Sequence, residues 1–175
     1  MNRLYFNAGR TLAALMMCLA LAGCDKPQAT AAGEATPAFH RSDECHVCGM
    51  VISDFPGPKG AAVGAGGVRK FCSPAEMFSW WLQPENHRAD VKLYVHDMGR
   101  SQWDAPDDAH LIDARTAYFV IGSGLKGAMG VVLASFSDAQ AAYKLASING
   151  GQVLRLEDID QTLLGNASAM APMSH

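Results

Sequence analysis

One pattern occurs twice along this chain, and the repetition constrains the fold more than any other feature. In the first copy Val68-Arg69-Lys70-Phe71 runs into Ser73-Pro74-Ala75-Glu76 and then the apolar-rich Met77-Phe78-Ser79-Trp80-Trp81-Leu82. In the second, Val131-Val132-Leu133-Ala134-Ser135-Phe136 runs into Ser137-Asp138-Ala139-Gln140 and Ala141-Ala142-Tyr143-Lys144-Leu145-Ala146. Each reads as a strand feeding a helix, with a serine N-cap and Glu or Gln three residues later to satisfy the free backbone N–H groups. A further strand follows each helix, Val91-Lys92-Leu93-Tyr94-Val95 and Gln152-Val153-Leu154-Arg155-Leu156, the latter after a Gly150-Gly151 helix stop. Two strands precede each helix: Met50-Val51-Ile52 with the 61–71 region, and Ala117-Tyr118-Phe119-Val120-Ile121 with 131–136. Gly64, Gly66 and Gly67 mark turns, and Gly57-Pro58-Lys59-Gly60 is a loop without the strand–loop–helix setting of a phosphate cradle. The expectation is an α+β fold of two consecutive ββαβ units, spanning 42–104 and 105–165.

Ahead of these units the chain reads as an export signal. Arg3 and Arg10 precede an apolar stretch, 12–21, that is too short to span a bilayer as a helix. Leu21-Ala22-Gly23-Cys24 matches the bacterial lipobox, in which small residues admit the signal peptidase and the cysteine is acylated. Residues 1–23 are then a signal peptide and Cys24 is the lipidated first mature residue. Acyl chains contribute about 0.8 kcal/mol per buried methylene, enough to hold the chain at the periplasmic face of a membrane. Asp25 favours the inner membrane. Residues 24–41 form an Ala-, Thr-, Pro- and Gly-rich tether, and 166–175 a flexible tail in which Met170, Met173 and His175 add soft donors. Losing the signal removes two arginines and no acids, so the formal charge moves from -3 to -5. With no basic cluster left, nucleic acid is excluded as a partner.

Cysteine accounting then narrows the chemistry. Cys18 leaves with the signal and Cys24 carries lipid, so Cys45, Cys48 and Cys72 remain, an odd number in an oxidising compartment. That argues against a disulfide scaffold and for a metal or redox role. Cys45-His46-Val47-Cys48-Gly49-Met50 concentrates two thiols, an imidazole and a thioether in six residues. A C-x-x-C pair can serve a redox couple, half a zinc site, a haem anchor or a soft-metal hook. Gly49 stands where haem attachment needs histidine, no second C-x-x-C or histidine pair follows, and Gly49-Met50-Val51-Ile52 reads as a strand instead of a helix start. Thiolate with thioether is the donor set expected of Cu(I). On a strand beginning near Cys48, side chains two apart share a face, so Cys48 and Met50 converge while Cys45 approaches from the turn. Cys72, just before a helix cap, reads chiefly as a packing cysteine. His96 and Asp97 end a strand and stand as structural hydrogen-bonding groups or as supports behind a ligand. No nucleophile-elbow pattern supports a hydrolase.

These motifs together resemble the NosL family of copper-binding lipoproteins. The resemblance rests on the lipobox at Cys24, on the 45–50 motif, and on Gly57-Pro58-Lys59-Gly60 and Phe71-Cys72-Ser73. Val95-His96-Asp97 ahead of Trp103, and Ala128-Met129-Gly130, complete it. It implies a fold distantly like that of organomercurial lyase. It further implies a non-enzymatic chaperone that delivers Cu(I) to nitrous oxide reductase through the membrane ABC-type Nos maturation complex. By the same resemblance Cys48 and Met50 are the leading copper ligands, joined by Cys45 and by Met129, whose small-residue loop could bring its thioether close. His46, His96, Asp97 and Cys72 are further candidates as ligands or supports. The rival functions are a thiol–disulfide oxidoreductase acting through Cys45 and Cys48 and, from fold resemblance alone, a lyase of mercury–carbon bonds.

Overall fold

The glycines at 64–67 turn the chain between β1 (Gly60–Gly64) and β2 (Gly67–Phe71), which pair antiparallel with Gly60 opposite Phe71. The computed structural model describes residues 36–170 apart from Ala89 and Met129. Gly67 takes φ +92°, a conformation that a side chain would strain. β3 (Lys92–His96) pairs with the other side of β1, and β4 (Leu111–Asp113) adds beyond β3, giving the sheet order β2-β1-β3-β4. The second sheet repeats the arrangement, with β5 (Tyr118–Ile121) between β6 (Leu133–Phe136) and β7 (Gln152–Leu154). All its pairings are antiparallel. Helix α1 (Pro74–Trp81) joins β2 to β3, and α2 (Ala139–Asn149) joins β6 to β7, so the ββαβ succession runs twice in the chain. β4 and a third helix, α3 (Gln161–Met170), lie outside that repeat. β4 comes after residue 104 yet belongs to the first sheet.

The two helix starts differ in a way their similar sequences conceal. Ser73 caps α1, its Oγ accepting the Glu76 N–H at 3.2 Å, with Pro74 in the first turn. The cap of α2 is Asp138, one residue later than the serine expected there, and its carboxylate accepts the Ala141 N–H at 3.1 Å. Ser137 is released from capping and donates its hydroxyl to Asp97 Oδ2 at 2.5 Å. Both Asp97 oxygens are thereby occupied, because Gly99 and Ser137 donate backbone N–H groups to Oδ1. Ser135 Oγ donates to the His96 carbonyl at 2.6 Å, and Met98 N–H to the Ser135 carbonyl at 2.8 Å. These bonds tie the end of β3 to β6 and explain how Asp97 can be only 1 % exposed, since a buried carboxylate must be hydrogen-bonded to offset its lost hydration.

The core is shared by the two sheets. Helix α1 buries Pro74, Ala75, Met77, Phe78 and Trp81, and Phe78 meets Phe119 of β5 edge-on at 5.2 Å between ring centroids. Each such fully buried ring contributes roughly 2–3 kcal/mol from area alone. Among the described residues no helix is long and apolar enough to cross a membrane.

The expected strand at Met50-Val51-Ile52 is not formed. Val51 makes a single antiparallel bridge to Glu44, and residues Ile52–Asp54 form a short 3-10 turn that drives Ile52, 2 % exposed, into the core. The β-branched pair Val51-Ile52 suggested extension. Burial of Ile52 as a plug is the tertiary demand that overrides it.

Candidate metal centre

Residues 44–51 form a tight loop closed by the Glu44–Val51 bridge. Within it Cys45 N–H donates to the Met50 carbonyl at 2.8 Å and Gly49 N–H returns to the Cys45 carbonyl at 2.9 Å. Gly49 takes φ +71°, which lets the chain reverse immediately after the second cysteine. The loop is moored to the sheet by His46 N–H, which donates to the Lys70 carbonyl of β2 at 2.8 Å, and by Lys70 Nζ on Asp43. Just past β2 the chain supplies Cys72, at the junction where Phe71 ends the strand and Ser73 caps α1.

The loop and the junction meet at sulfur. The Sγ atoms of Cys45, Cys48 and Cys72 all lie within 4.8 Å of one another, and among the described residues no other three His, Cys, Asp or Glu side chains close to that spacing. Cys48 Sγ and Cys72 Sγ are 3.8 Å apart, and all three thiols are free. Cys45 and Cys72 are buried at 3 % and 1 %, whereas Cys48 is partly open to solvent.

Electrostatics divides the thiols unequally. A hydrogen bond from Cys72 pulls the Cys45 thiol down to about 4 against the opposing effect of burial, with further help from the backbone N–H groups of Cys48, Cys72 and Val47. Donating that bond pushes Cys72 strongly upward, and burial adds to the shift. Burial likewise raises Cys48. At neutral pH the cluster therefore holds one thiolate, on Cys45, with the other two sulfurs still protonated. Its charge is felt nearby, for Glu76 is raised first by burial and then by Cys45. Three convergent sulfurs, one of them already ionised, suit a soft monovalent cation in low coordination.

The other expected residues are placed as follows. Met50 is half-buried on the loop, and its backbone closes the turn, so the shared-face argument that paired it with Cys48 loses its strand. His46 is exposed, with its ring edge-on to Phe71 and Trp80 at 5.9 and 5.8 Å between centroids. His96 is buried elsewhere in a polar row: Nδ1 accepts the Lys59 N–H at 3.1 Å, and Nε2 faces Asp108 Oδ1 at 3.0 Å. Those partners assign the proton to Nε2, and burial lowers the pKa of the ring, keeping it neutral. Asp97 is spent on joining the sheets. Cys24, Met129, Met173 and His175 lie outside the described residues. Ala128, the residue before Met129, is buried and lines a small cavity with Ser73 and Pro74, next along the chain from Cys72.

A family model for NosL matches residues 36–164, which contain both sheets and all three thiols. The chain belongs to the NosL family. It is 58% identical over 170 residues to the copper-binding lipoprotein NosL of Stutzerimonas stutzeri, covering 97% of this chain and 90% of that protein. The copper-binding lipoprotein NosL of Achromobacter cycloclastes is 35% identical over 126 residues, 68% of this chain and 64% of the relative. Among solved structures, that of the copper chaperone NosL from Shewanella denitrificans superposes with a TM-score of 0.68 at 43% identity. That match covers 72% of this chain and 96% of the other.

Proposed function

We propose that this protein is a membrane-tethered Cu(I) chaperone that supplies copper for assembly of the metal centre of nitrous oxide reductase. The observation that carries the proposal is the convergence of Cys45, Cys48 and Cys72 within 4.8 Å, two of them buried and one at the surface. A chaperone must hold its ion firmly yet surrender it. The half-open Cys48 is the sulfur an acceptor ligand reaches first, so the ion can leave by stepwise replacement of donors. Met50 and Met129 are the proposed thioethers of the donor set. The relatives named copper-binding lipoproteins and the solved copper chaperone support the cargo. Delivery through the membrane ABC-type Nos complex follows the family resemblance.

Anaerobic Cu(I) titration of the reduced protein, with X-ray absorption to count sulfur neighbours, tests this reading. One Cu(I) per chain with a sulfur-only environment is expected. The rival reading, a thiol–disulfide oxidoreductase using Cys45 and Cys48, draws on the same ionised Cys45 thiol. Metal-independent turnover of a disulfide substrate, with no stoichiometric copper binding, would establish the rival instead.

The tether is proposed to be lipid on Cys24, at the periplasmic face of the inner membrane. Its motivation is Leu21-Ala22-Gly23-Cys24 followed by a polar linker, and a body whose described helices cannot span a bilayer. Cys24→Ala should leave the fold and copper binding intact and move the protein from the membrane to the soluble fraction. Unchanged membrane fractionation would refute the lipid anchor.

A further inference from the structure

The sulfurs of the cluster come from two separate stretches of chain, and the residues beside them touch. His46 follows Cys45, and Phe71 precedes Cys72. The His46 and Phe71 rings meet edge-on at 5.9 Å between centroids. The Trp80 indole of α1 touches both, edge-on to His46 at 5.8 Å and tilted against Phe71 at 5.5 Å. Side chains on a helix lean towards its N-terminus, so an indole near the end of α1 reaches back over the end of β2, next to which Cys72 stands. The Arg69 guanidinium, also from β2, lies over the same indole at 5.3 Å.

These separations fall within the roughly 4.5–7 Å over which aromatic rings attract in edge-on and offset arrangements. The core has unequal use for the rings. Phe71 is fully buried and belongs to it in its own right, but His46 is exposed and Trp80 only half-buried. Burial alone therefore does not call for the contact of Trp80 with His46. What that contact does is fasten the 44–51 loop by a side chain lying between its two cysteines. It adds to the backbone bond from His46 N–H to the Lys70 carbonyl and to the ion pair of Lys70 with Asp43.

Sulfurs that converge before the ion arrives spare it the cost of ordering them. We propose that Trp80 is a positioning residue of the copper site, holding His46 and Phe71 together so that Cys45 and Cys48 of the loop stay within reach of Cys72 in the metal-free protein. It acts through its neighbours and supplies no ligand. The role rests on the Cu(I) reading given above and adds to it a determinant of affinity on α1, outside the loop and the thiols. The same hold has a consequence that needs no metal. Oxidation can close Cys45–Cys48 within the loop or Cys48–Cys72 between the two stretches, each bond reducing one oxidised glutathione to two glutathione thiols. Loosening the loop from β2 handicaps only the second.

The test takes two readouts from the full-length protein in detergent. One is Cu(I) affinity by competition with a Cu(I) chelator; the other is the share of Cys48–Cys72 among the disulfides that oxidised glutathione forms in the apo protein, mapped by mass spectrometry. Trp80→Ala should weaken Cu(I) binding about tenfold and cut the Cys48–Cys72 share about threefold in favour of Cys45–Cys48. Trp80→Phe, which keeps a ring against His46 and Phe71, should restore most of both. Leu145→Ala is the control for stability, since Leu145 of α2 packs against Val120, Ala134, Phe136 and Ala142 in another part of the core. It should lower the apo thermal midpoint and leave both readouts as in the native protein. Should Trp80→Ala fail to fold, Trp80→Leu, which fills part of the volume without a ring, is read in the same way. Native affinity and a native disulfide share in Trp80→Ala, or equal changes in Leu145→Ala, would overturn the inference while leaving the thiol site standing. If the native protein binds no stoichiometric Cu(I), the copper role of Trp80 falls with the copper reading, and the disulfide share tells the two failures apart.

Discussion

Cys72→Ser is expected to weaken Cu(I) binding by on the order of a hundredfold or more, a loss comparable to that of Cys48→Ser, since removing a ligand should cost at least as much as disturbing a ligand's support. From the sequence alone Cys48 leads, because it shares the face of an expected strand with Met50, while Cys72 reads chiefly as a packing cysteine. That strand is absent, and the Cys72 sulfur lies 3.8 Å from Cys48 in a fully buried position. Cys45→Ser should be at least as damaging, for Cys45 carries the thiolate that exists before metal arrives. The pH dependence has a definite sign. Cys48 and Cys72 are both raised, so protons compete with copper for them across the neutral range, and affinity should increase as pH rises. Loading should release about two protons per Cu(I) at pH 7, one from each protonated thiol. Competition titrations of the three serine variants against a Cu(I) chelator, repeated at several pH values in weakly buffered solution, check both statements. Retention of native affinity by Cys72→Ser would reduce the site to the two cysteines of the loop.

The comparison of these residues shows which kind of information lies on the surface of a sequence. The repeat was legible because its signals are local: glycines between β1 and β2, Ser73 ahead of Pro74, Gly150-Gly151 after α2. Each acts on the backbone within a few residues, so its position along the chain is its meaning. The 45–50 motif was legible as chemistry but not as geometry. Val51 and Ile52 favour extension, and only the demand of the core for Ile52 turns the chain into a loop. Ser137 misled for a related reason, since Asp97, 40 residues away, takes its hydroxyl and leaves Asp138 to cap the helix.

Oxidation should separate the apo and loaded states more sharply than any substitution. In the apo protein Cys45 is a thiolate at neutral pH, with Cys48 and Cys72 both within 4.8 Å of it, so oxidised glutathione can accept two electrons while one intramolecular disulfide forms. Cys48 is the sulfur that solvent reaches, which makes it the expected entry point and a member of the bond that results. Two products compete: Cys45–Cys48, closing the short loop, and Cys48–Cys72, whose sulfurs already stand 3.8 Å apart. Only one can form at a time, and either removes two of the three donors, so an oxidised chain should lose most of its copper affinity. Copper in turn engages the sulfur lone pairs and withdraws the nucleophile, so the loaded protein should resist the same oxidant. The check is to treat apo and Cu(I)-loaded protein identically under anaerobic glutathione buffer and to map disulfides by mass spectrometry while measuring retained metal. Protection of Cys48 in the loaded sample alone, with copper still bound, is the expected result. Equal rates of disulfide formation in the two samples, with copper retained in the loaded one, would mean that the ion sits elsewhere and that the three thiols serve redox chemistry.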